Sequence, residues 1–469
     1  MTEEKKRGKL EGTLFNWSAY MERDLTKGKI FPLLFSFLLP VVLGLLLQQI
    51  YSLVDTAIVG RTLGVNALGG VGSTGSLQFL VIGFCNGLCS GFALPVAQAF
   101  GAGNRPQLRK YVTNSVALAA LISAVIIGIV LPFTDDLLLI METPEEQYFY
   151  AYSYIFIIFA GIPATMLYNL TAGIIRSLGD SKTPVYFLAI SSVLNIFGDL
   201  FTIRVLHMGV AGAAWATILS QLISGLLCLL YMRRKYPVLK MESGDWRLQK
   251  TACSYLLSNG VPMGLQFSIT AIGGVVVQSA VNQLGAIYVS ANTTAHKINQ
   301  FLMVPYMGQL TSSATFTGQN LGAKEYGRIK QGFYLNLLIG LIYWAAELLL
   351  LFGIGKRVFL LFLNSEELAL IQDPAWIMLL IQTVGFFLLV PVNVARPAIQ
   401  GMSYSKLALI AGVLEMASRI VIALWAIPNF GYVAVGWAPV TAWIFADCFL
   451  IPAFFLCLRR ERRKGEIPG

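Results

Sequence analysis

Lys29 to Asp55 reads KIFPLLFSFLLPVVLGLLLQQIYSLVD, and from Ile30 to Leu47 every residue but Ser36 is apolar, glycine or proline. A helix of that length crosses a hydrocarbon core of ~30 Å. Toward its end Gln48, Tyr51 and Asp55 fall at i, i+3 and i+7, which puts three polar groups on one face of an otherwise apolar helix. Membrane helices turn such a face inward, because facing it to lipid is costly. Pro40 removes a backbone hydrogen bond from the middle of the run and predicts a bend there.

The rest of the chain repeats the pattern. Of 469 residues, 56% are apolar and 12% charged, about half the charged share of a soluble domain. Apolar runs separated by Gly, Pro, Asn and charge predict spans near 29–54, 67–99, 111–133, 147–175, 184–205 and 209–232, and again near 250–281, 286–318, 331–355, 374–398, 405–427 and 431–458. The expected fold is an all-α integral membrane protein of twelve transmembrane helices. Pro262, Pro305 and Pro391, like Pro40, interrupt the hydrogen-bond ladder, so bent helices around a central cavity are expected. The longest polar stretch between runs, Arg233 to Lys250, is too short to bury a core of its own.

The net charge of +10 is read from its distribution. Of 34 Lys and Arg, 28 fall in alternate segments: seven before the first span, three at Arg105 to Lys110, two at Arg176 and Lys182, six from Arg233 to Lys250, three from Lys324 to Lys330, two at Arg396 and Lys406, and five from Arg459 to Lys464. The other connections hold only Arg61, Arg204, Lys356 and Arg357, while Lys297 and Arg419 lie within spans. This is the positive-inside pattern, which expects both termini in the cytoplasm and argues against a nucleic-acid partner. The first span is long and follows a polar leader, so a cleaved signal peptide is not expected. Phe15, Trp17 and Tyr20 equip that leader to lie at the membrane surface.

The two sets of six spans resemble each other at an offset of about 222 residues. Pro40 meets Pro262, Gly179 meets Gly401, Gly209 meets Gly431 and Trp215-Ala216 meets Trp437-Ala438. One residue out of that phase, Gly64 meets Gly285, and Gln98-x-x-Gly101-Ala102 meets Gln319-x-x-Gly322-Ala323. Six is even, so both halves start on the same side and form parallel repeats about an axis along the membrane normal. The expected organisation is a leader (1–28), an N-terminal lobe (29–232), a linker (233–249), a C-terminal lobe (250–458) and a basic tail (459–469).

Ionisable residues within spans are the candidates for chemistry, because each costs a few kcal/mol unless paired, hydrated or protonated. Asn195 and Asp199 share one helix face at i, i+4, Thr217 lies at a matching depth in the next span, and Asp55 approaches from the first. Two carboxylates with an amide and a hydroxyl oxygen can surround a hard cation or share a proton, H⁺ and Na⁺ using the same oxygens. The alternative is that Asn195 and Asp199 only satisfy backbone groups and that Asp55 pairs with Arg61 at the surface. Gln48, Tyr51, Gln78, Tyr154 and Asn169 are candidates for the wall of an adjoining cavity. The second half does not repeat the acids: at the 222 offset Asp55 faces Val277, Asn195 Ala417, Asp199 Val421 and Thr217 Pro439. It carries Lys297, Glu347, Glu415, Arg419 and Asp447, expected to form an ion-pair network that locks helices together.

Other classes are poorly served. No G-x-x-x-x-G-K-[ST] run is present, and with only His207 and His296 no HExxH or Ser/His/Asp set can be assembled. The six cysteines, including Cys85 and Cys89 at i, i+4, read as small packing residues, so no structural metal, disulfide or cofactor is expected.

Three motifs carry a family resemblance: Val54-Asp55-Thr56 followed by Gly60, the Gln98-Ala99-Phe100-Gly101-Ala102 and Gln319-Asn320-Leu321-Gly322-Ala323 pair, and Arg176-Ser177-Leu178-Gly179-Asp180-Ser181-Lys182-Thr183-Pro184. Over nearly its whole length the chain resembles the multidrug and toxic compound extrusion (MATE) transporters, in their DinF-like branch. The resemblance implies an antiporter, not an enzyme, acting as a monomer in a bacterial-type plasma membrane and exporting organic cations or amphiphilic drugs in exchange for H⁺ or Na⁺. It implies a cation site at Asp55, Asn195, Asp199 and Thr217, cavity residues at Gln48, Tyr51, Tyr154 and Asn169, and a hinge at Pro40. Some branches place a glutamate on the seventh span, where this chain has Thr270. A lipid-linked sugar flippase of the same superfamily, or a membrane scaffold that transports nothing, are the alternatives.

Overall fold

The computed structural model describes residues 24–361 and 365–466. Phe15, Trp17 and Tyr20 lie outside the described residues, as do the last three residues of the basic tail. Among the described residues the regular structure is helical throughout. The opening run forms α1 (Ile30–Leu63), which passes its predicted end by more than two turns, so that Asp55 lies in the body of the helix. Gly64, at φ 88°, ends it.

The second span is α2 (Val65–Ser73) with α3 (Gly75–Gly101), and the third is α4 (Arg105–Val130), opened by the Asn104 side chain accepting from the Gln107 amide at 3.1 Å. A short α5 (Thr134–Ile140) leads to the fourth span, α6 (Glu145–Ala160) and α7 (Ile162–Ser177), which meet at 49°. That break was not expected, and Pro163 explains it, because without an N–H it cannot bond the Phe159 carbonyl. The lobe is completed by α8 (Lys182–Leu200) and α9 (Gly209–Lys235).

The second lobe contains α10 (Lys250–Gln283), α11 (Ala286–Leu302) with α12 (Val304–Gly322), α13 (Tyr326–Ile354), α14 (Ser365–Gly401), α15 (Ser405–Val421), the short α16 (Ile427–Phe430) and α17 (Tyr432–Glu466). Pro305 opens α12, but Pro40, Pro262 and Pro391 are each carried inside an unbroken helix. Among the described residues ten helices are long and apolar enough to cross a membrane, and the α6–α7 pair makes an eleventh span. The twelfth, α11–α12, is polar for a span because it is enclosed by protein. Asn292, Asn299, Gln309, Ser312, Thr315 and Asn320 are all buried there.

The repeat is visible in the helix ends. A π turn at Phe201–Val205 after α8 is matched by one at Ile422–Ala426 after α15. The positive-φ residues Gly64, Gly103 and Gly209 are matched by Gly285, Lys324 and Gly431. Gly179, at φ 89°, corresponds in conformation to Ser403 at φ 65°, not to Gly401, which lies within α14. The linker is held to α4, where Arg109 pairs with Glu242 at 3.1 Å and the Gln249 amide donates to Asn114 Oδ1 at 3.0 Å.

The repeated Gln-x-x-Gly motif is what joins the lobes. Gln98 Nε2 donates across the interface to the Gly401 carbonyl at 2.7 Å, and Gln319 Nε2 donates the other way to the Ser177 carbonyl at 2.7 Å. Each glutamine thus caps a long helix of the opposite lobe. The glycines reciprocate: a Cβ on Gly101 would lie 1.9 Å from the Gln319 carbonyl oxygen, and one on Gly322 would lie 1.9 Å from that of Gln98. Gly87 against Met263 and Gly91 against Gly260 continue the seam along α3 and α10. The Gln-x-x-Gly contacts lie at the end of the molecule that carries the basic connections, called here the basic end, and the Gly87 and Gly91 contacts run from there toward mid-helix.

Helix α1 belongs to both lobes. Its first half, Ile30, Leu34, Phe37 and Val41, is packed with Phe316, Leu335 and Ile339 of α12 and α13. Three residues beyond Val41, Gly44 lies against Val185 of α8. Pro40 sits at the changeover, and Asp55 lies three turns beyond Gly44 on the N-lobe side.

Candidate functional site

In the part of the N-lobe away from the basic end, Asp55 on α1 and Asp199 on α8 bring their carboxyl groups within hydrogen-bonding reach of each other. Asp199 is 0% exposed, and neither of its oxygens has a hydrogen-bond partner among the described residues. One oxygen of Asp55 and the side-chain oxygen of Asn195 are likewise buried and unpartnered. One turn from Asp199, Asn195 Nδ2 reaches Thr217 Oγ1 on α9 at 3.4 Å. The four residues singled out from the sequence therefore converge from three helices, and among the described residues Asp55 forms no ion pair with Arg61. Several buried carboxyl oxygens without donors are untenable as bare anions in low dielectric. The set has the oxygens and the charge to hold a shared proton or a small hard cation.

Toward the basic end, a cavity of about 280 Å³ opens among α1, α3, α7, α8 and α9, with Thr311 of α12 also on its wall. Gln48, Tyr51, Asn169 and Asn195 line it as expected. Gln78 and Tyr154 meet each other beside Tyr51 and the two acids and are not part of its wall. Asn86, Thr165, Ser191, Ser192, Gln221 and Arg176, none of them a cavity candidate from the sequence, also line it. Thr165 donates to Gln221 at 2.5 Å, and Asn169 donates to the Thr165 carbonyl at 2.8 Å. Helical spacing from Asn169 and Asn195 would have found Thr165 and Ser191. Nothing in the sequence marks Asn86 or Arg176 as cavity residues.

Comparison with known proteins agrees with the geometry. The sequence pattern of the MatE family matches residues 40–201 and again 262–425, one match in each half. The chain belongs to the MatE family. MatE proteins are membrane transporters, and this one is a multi-pass membrane protein. Similar chains include the probable multidrug resistance protein YoeA of Bacillus subtilis (strain 168), 32% identical and covering 71% of this chain and 73% of that one. The probable multidrug resistance protein YpnP of the same organism is 29% identical over 73% and 77%. A solved structure of the outward-facing conformation of a multidrug resistance MATE family transporter superposes with a TM-score of 0.86 over 94% of this chain and 98% of that one, at 21% identity. The MatE fold of twelve helices in two lobes is therefore the fold of this protein.

The C-lobe of this MatE chain departs from the expected network. Glu415 pairs with Arg396 of α14, not with Arg419 one turn away. Arg396 was grouped with the basic connections and is instead 6% exposed within a helix. Glu347 accepts from Tyr306 at 2.7 Å, Lys297 is exposed, and Asp447 is buried with both oxygens unpartnered among the described residues. Among the described residues Lys297 and Glu347 make no ion pair with Glu415, Arg419 or Asp447, and the partner that Glu415 does have comes from another helix, which spacing along one helix cannot reveal. Substituting Arg396 by Met is expected to cost about 3–5 kcal/mol by leaving Glu415 uncompensated. Thermal unfolding in detergent would read this as a large fall in Tm, and the double variant Arg396→Met, Glu415→Met would recover most of it.

Proposed function

We propose that this MatE chain is an antiporter that exports organic cations or amphiphilic drugs in exchange for inward H⁺ or Na⁺. The relatives named for multidrug resistance support the export reading, and the facing carboxyls of Asp55 and Asp199, buried without donors, carry the coupling. The coupling ion is bound there with the Asn195 and Thr217 oxygens, while substrate occupies the cavity at Gln48, Tyr51 and Asn169, near Gln78 and Tyr154. Linkage requires the ion to favour one conformation. Helix α1 provides the link, because its acid end is in the N-lobe and its other end is packed on the C-lobe. Ion binding at Asp55 shifts the outer half of α1 about Pro40 and changes the cavity wall at Gln48 and Tyr51. The positive-inside rule puts the basic end and both termini in the cytoplasm, so the lobes are closed on that side and substrate leaves outward. The protein works as a monomer in the plasma membrane.

Dye efflux from proteoliposomes under separately imposed pH and Na⁺ gradients tests this. Efflux is expected to follow at least one gradient and to stop when that gradient is collapsed. Efflux that is indifferent to both, or absent with a panel of dyes, contradicts it.

A further inference from the structure

Arg176 ends in an unexpected place. It was grouped with the basic connections, yet it lies in the last turn of α7 and lines the N-lobe cavity. Every other residue on that wall is uncharged or a tyrosine, and no carboxylate lies among them. Among the described residues its guanidinium has neither an ion pair nor a hydrogen-bond acceptor. The obvious counter-ion, Asp180, is committed elsewhere. It accepts from the Lys182 and Thr183 amides at 3.0 Å each, capping α8, from Thr183 Oγ1 at 2.6 Å and from Tyr236 at 3.1 Å. Complementing the α7 dipole would need only the charge and leaves the guanidinium's five donors unused.

We propose that this recess binds the oxyanion of an organic solute, a phosphate or carboxylate, with Arg176 as the forked donor. The Ser181 hydroxyl and the amides of Asn169 and Gln221 stand on the same walls as further donors, whereas the Ser191 and Ser192 hydroxyls already donate to the Ser220 and Leu188 carbonyls at 2.8 and 2.9 Å. Within the export reading this narrows the substrate from organic cations and amphiphiles at large to amphiphiles that bear an oxyanion, held at the basic end, with the coupling cation at Asp55 and Asp199 farther along α1. The assignment rests on the export reading for its physiological meaning, but binding can be measured without transport.

The test uses purified full-length protein in nanodiscs of neutral phosphatidylcholine, titrated with riboflavin and with riboflavin 5′-phosphate by fluorescence quenching. The phosphorylated form is expected to bind about tenfold tighter or better, as a charge-assisted bidentate contact gives, and inorganic phosphate should compete. Arg176→Gln is expected to bring the ratio to about one, while Arg176→Lys, which keeps charge and loses the fork, keeps part of it. Equal affinities in the wild type, or no binding of the phosphorylated form and no effect of inorganic phosphate, overturn the proposal, as does an unchanged ratio in a folded Arg176→Gln. Should that variant not fold, the wild-type ratio and the phosphate competition decide. Repeating the wild-type titration with anionic phosphatidylglycerol separates sources: loss of the preference assigns the site to a lipid headgroup, and retention assigns it to a soluble ligand. Failure of the export reading would appear in dye efflux and leave this ratio readable.

Discussion

Asp199→Asn and Asp55→Asn are each expected to abolish ion-driven export while leaving the protein as abundant as the wild type, and as stable or more so. The amide is isosteric with the carboxyl and cannot ionise, so the site loses the one property the coupling needs. Burying a neutral amide costs less than burying a carboxylate, and Asp199 is 0% exposed with both oxygens unpartnered among the described residues. Removing that charge relieves a cost in the absence of the ion. Loss of function with a steady or raised Tm is therefore the signature, measured as drug resistance in cells beside melting curves in detergent. A purely structural role predicts the reverse, with lower Tm and lower abundance. Wild-type resistance in both variants would sink the assignment.

Gly101→Ala and Gly322→Ala are expected to separate the lobes at the basic end and to reduce transport at least tenfold. Alanine favours helix over glycine by about 1 kcal/mol, so local structure alone predicts a gain. The added Cβ, however, meets a carbonyl oxygen of the opposite lobe at 1.9 Å, and backbone cannot swing aside as a flexible side chain can. The lobes must part by more than an ångström to make room. Spin labels on the basic ends of α3 and α12 should read longer and broader distances in both variants. Gly128→Ala, where nothing lies within 4 Å of the new Cβ, is the control and should change neither distance nor transport. Unchanged distances in Gly101→Ala would show that the seam is not tightly closed there.

Much of this was legible in the sequence because the bilayer simplifies the code. Run length gives spans, and matched prolines and glycines give the repeat. Asp55, Asn195, Asp199 and Thr217 could be grouped because acids are rare in such spans and helical spacing puts two of them on one face. What escaped reading depends on contacts between helices. The extension of α1 past residue 54 carries no mark, since Thr56 to Leu63 is compatible with helix or loop. The bend at Gly161 needed both Pro163 and a partner: a Cβ on Gly161 would lie 2.2 Å from Ile218 of α9. Arg396 and Arg176 were misplaced for one reason, that counting basic residues at span ends treats them all as solvent charges. One of them is the buried partner of Glu415, and the other faces a cavity.

Ion movement driven by substrate tests the central claim most directly. Proteoliposomes without an imposed gradient, loaded with transportable dye on the basic-end side of the protein, would be monitored for pH change and for radioactive Na⁺ uptake as dye moves. The wild type is predicted to move one of the two ions against the dye in fixed proportion, and Asp199→Asn to move neither although it still binds dye. The same dye-dependent ion flux in Asp199→Asn as in the wild type would contradict the account.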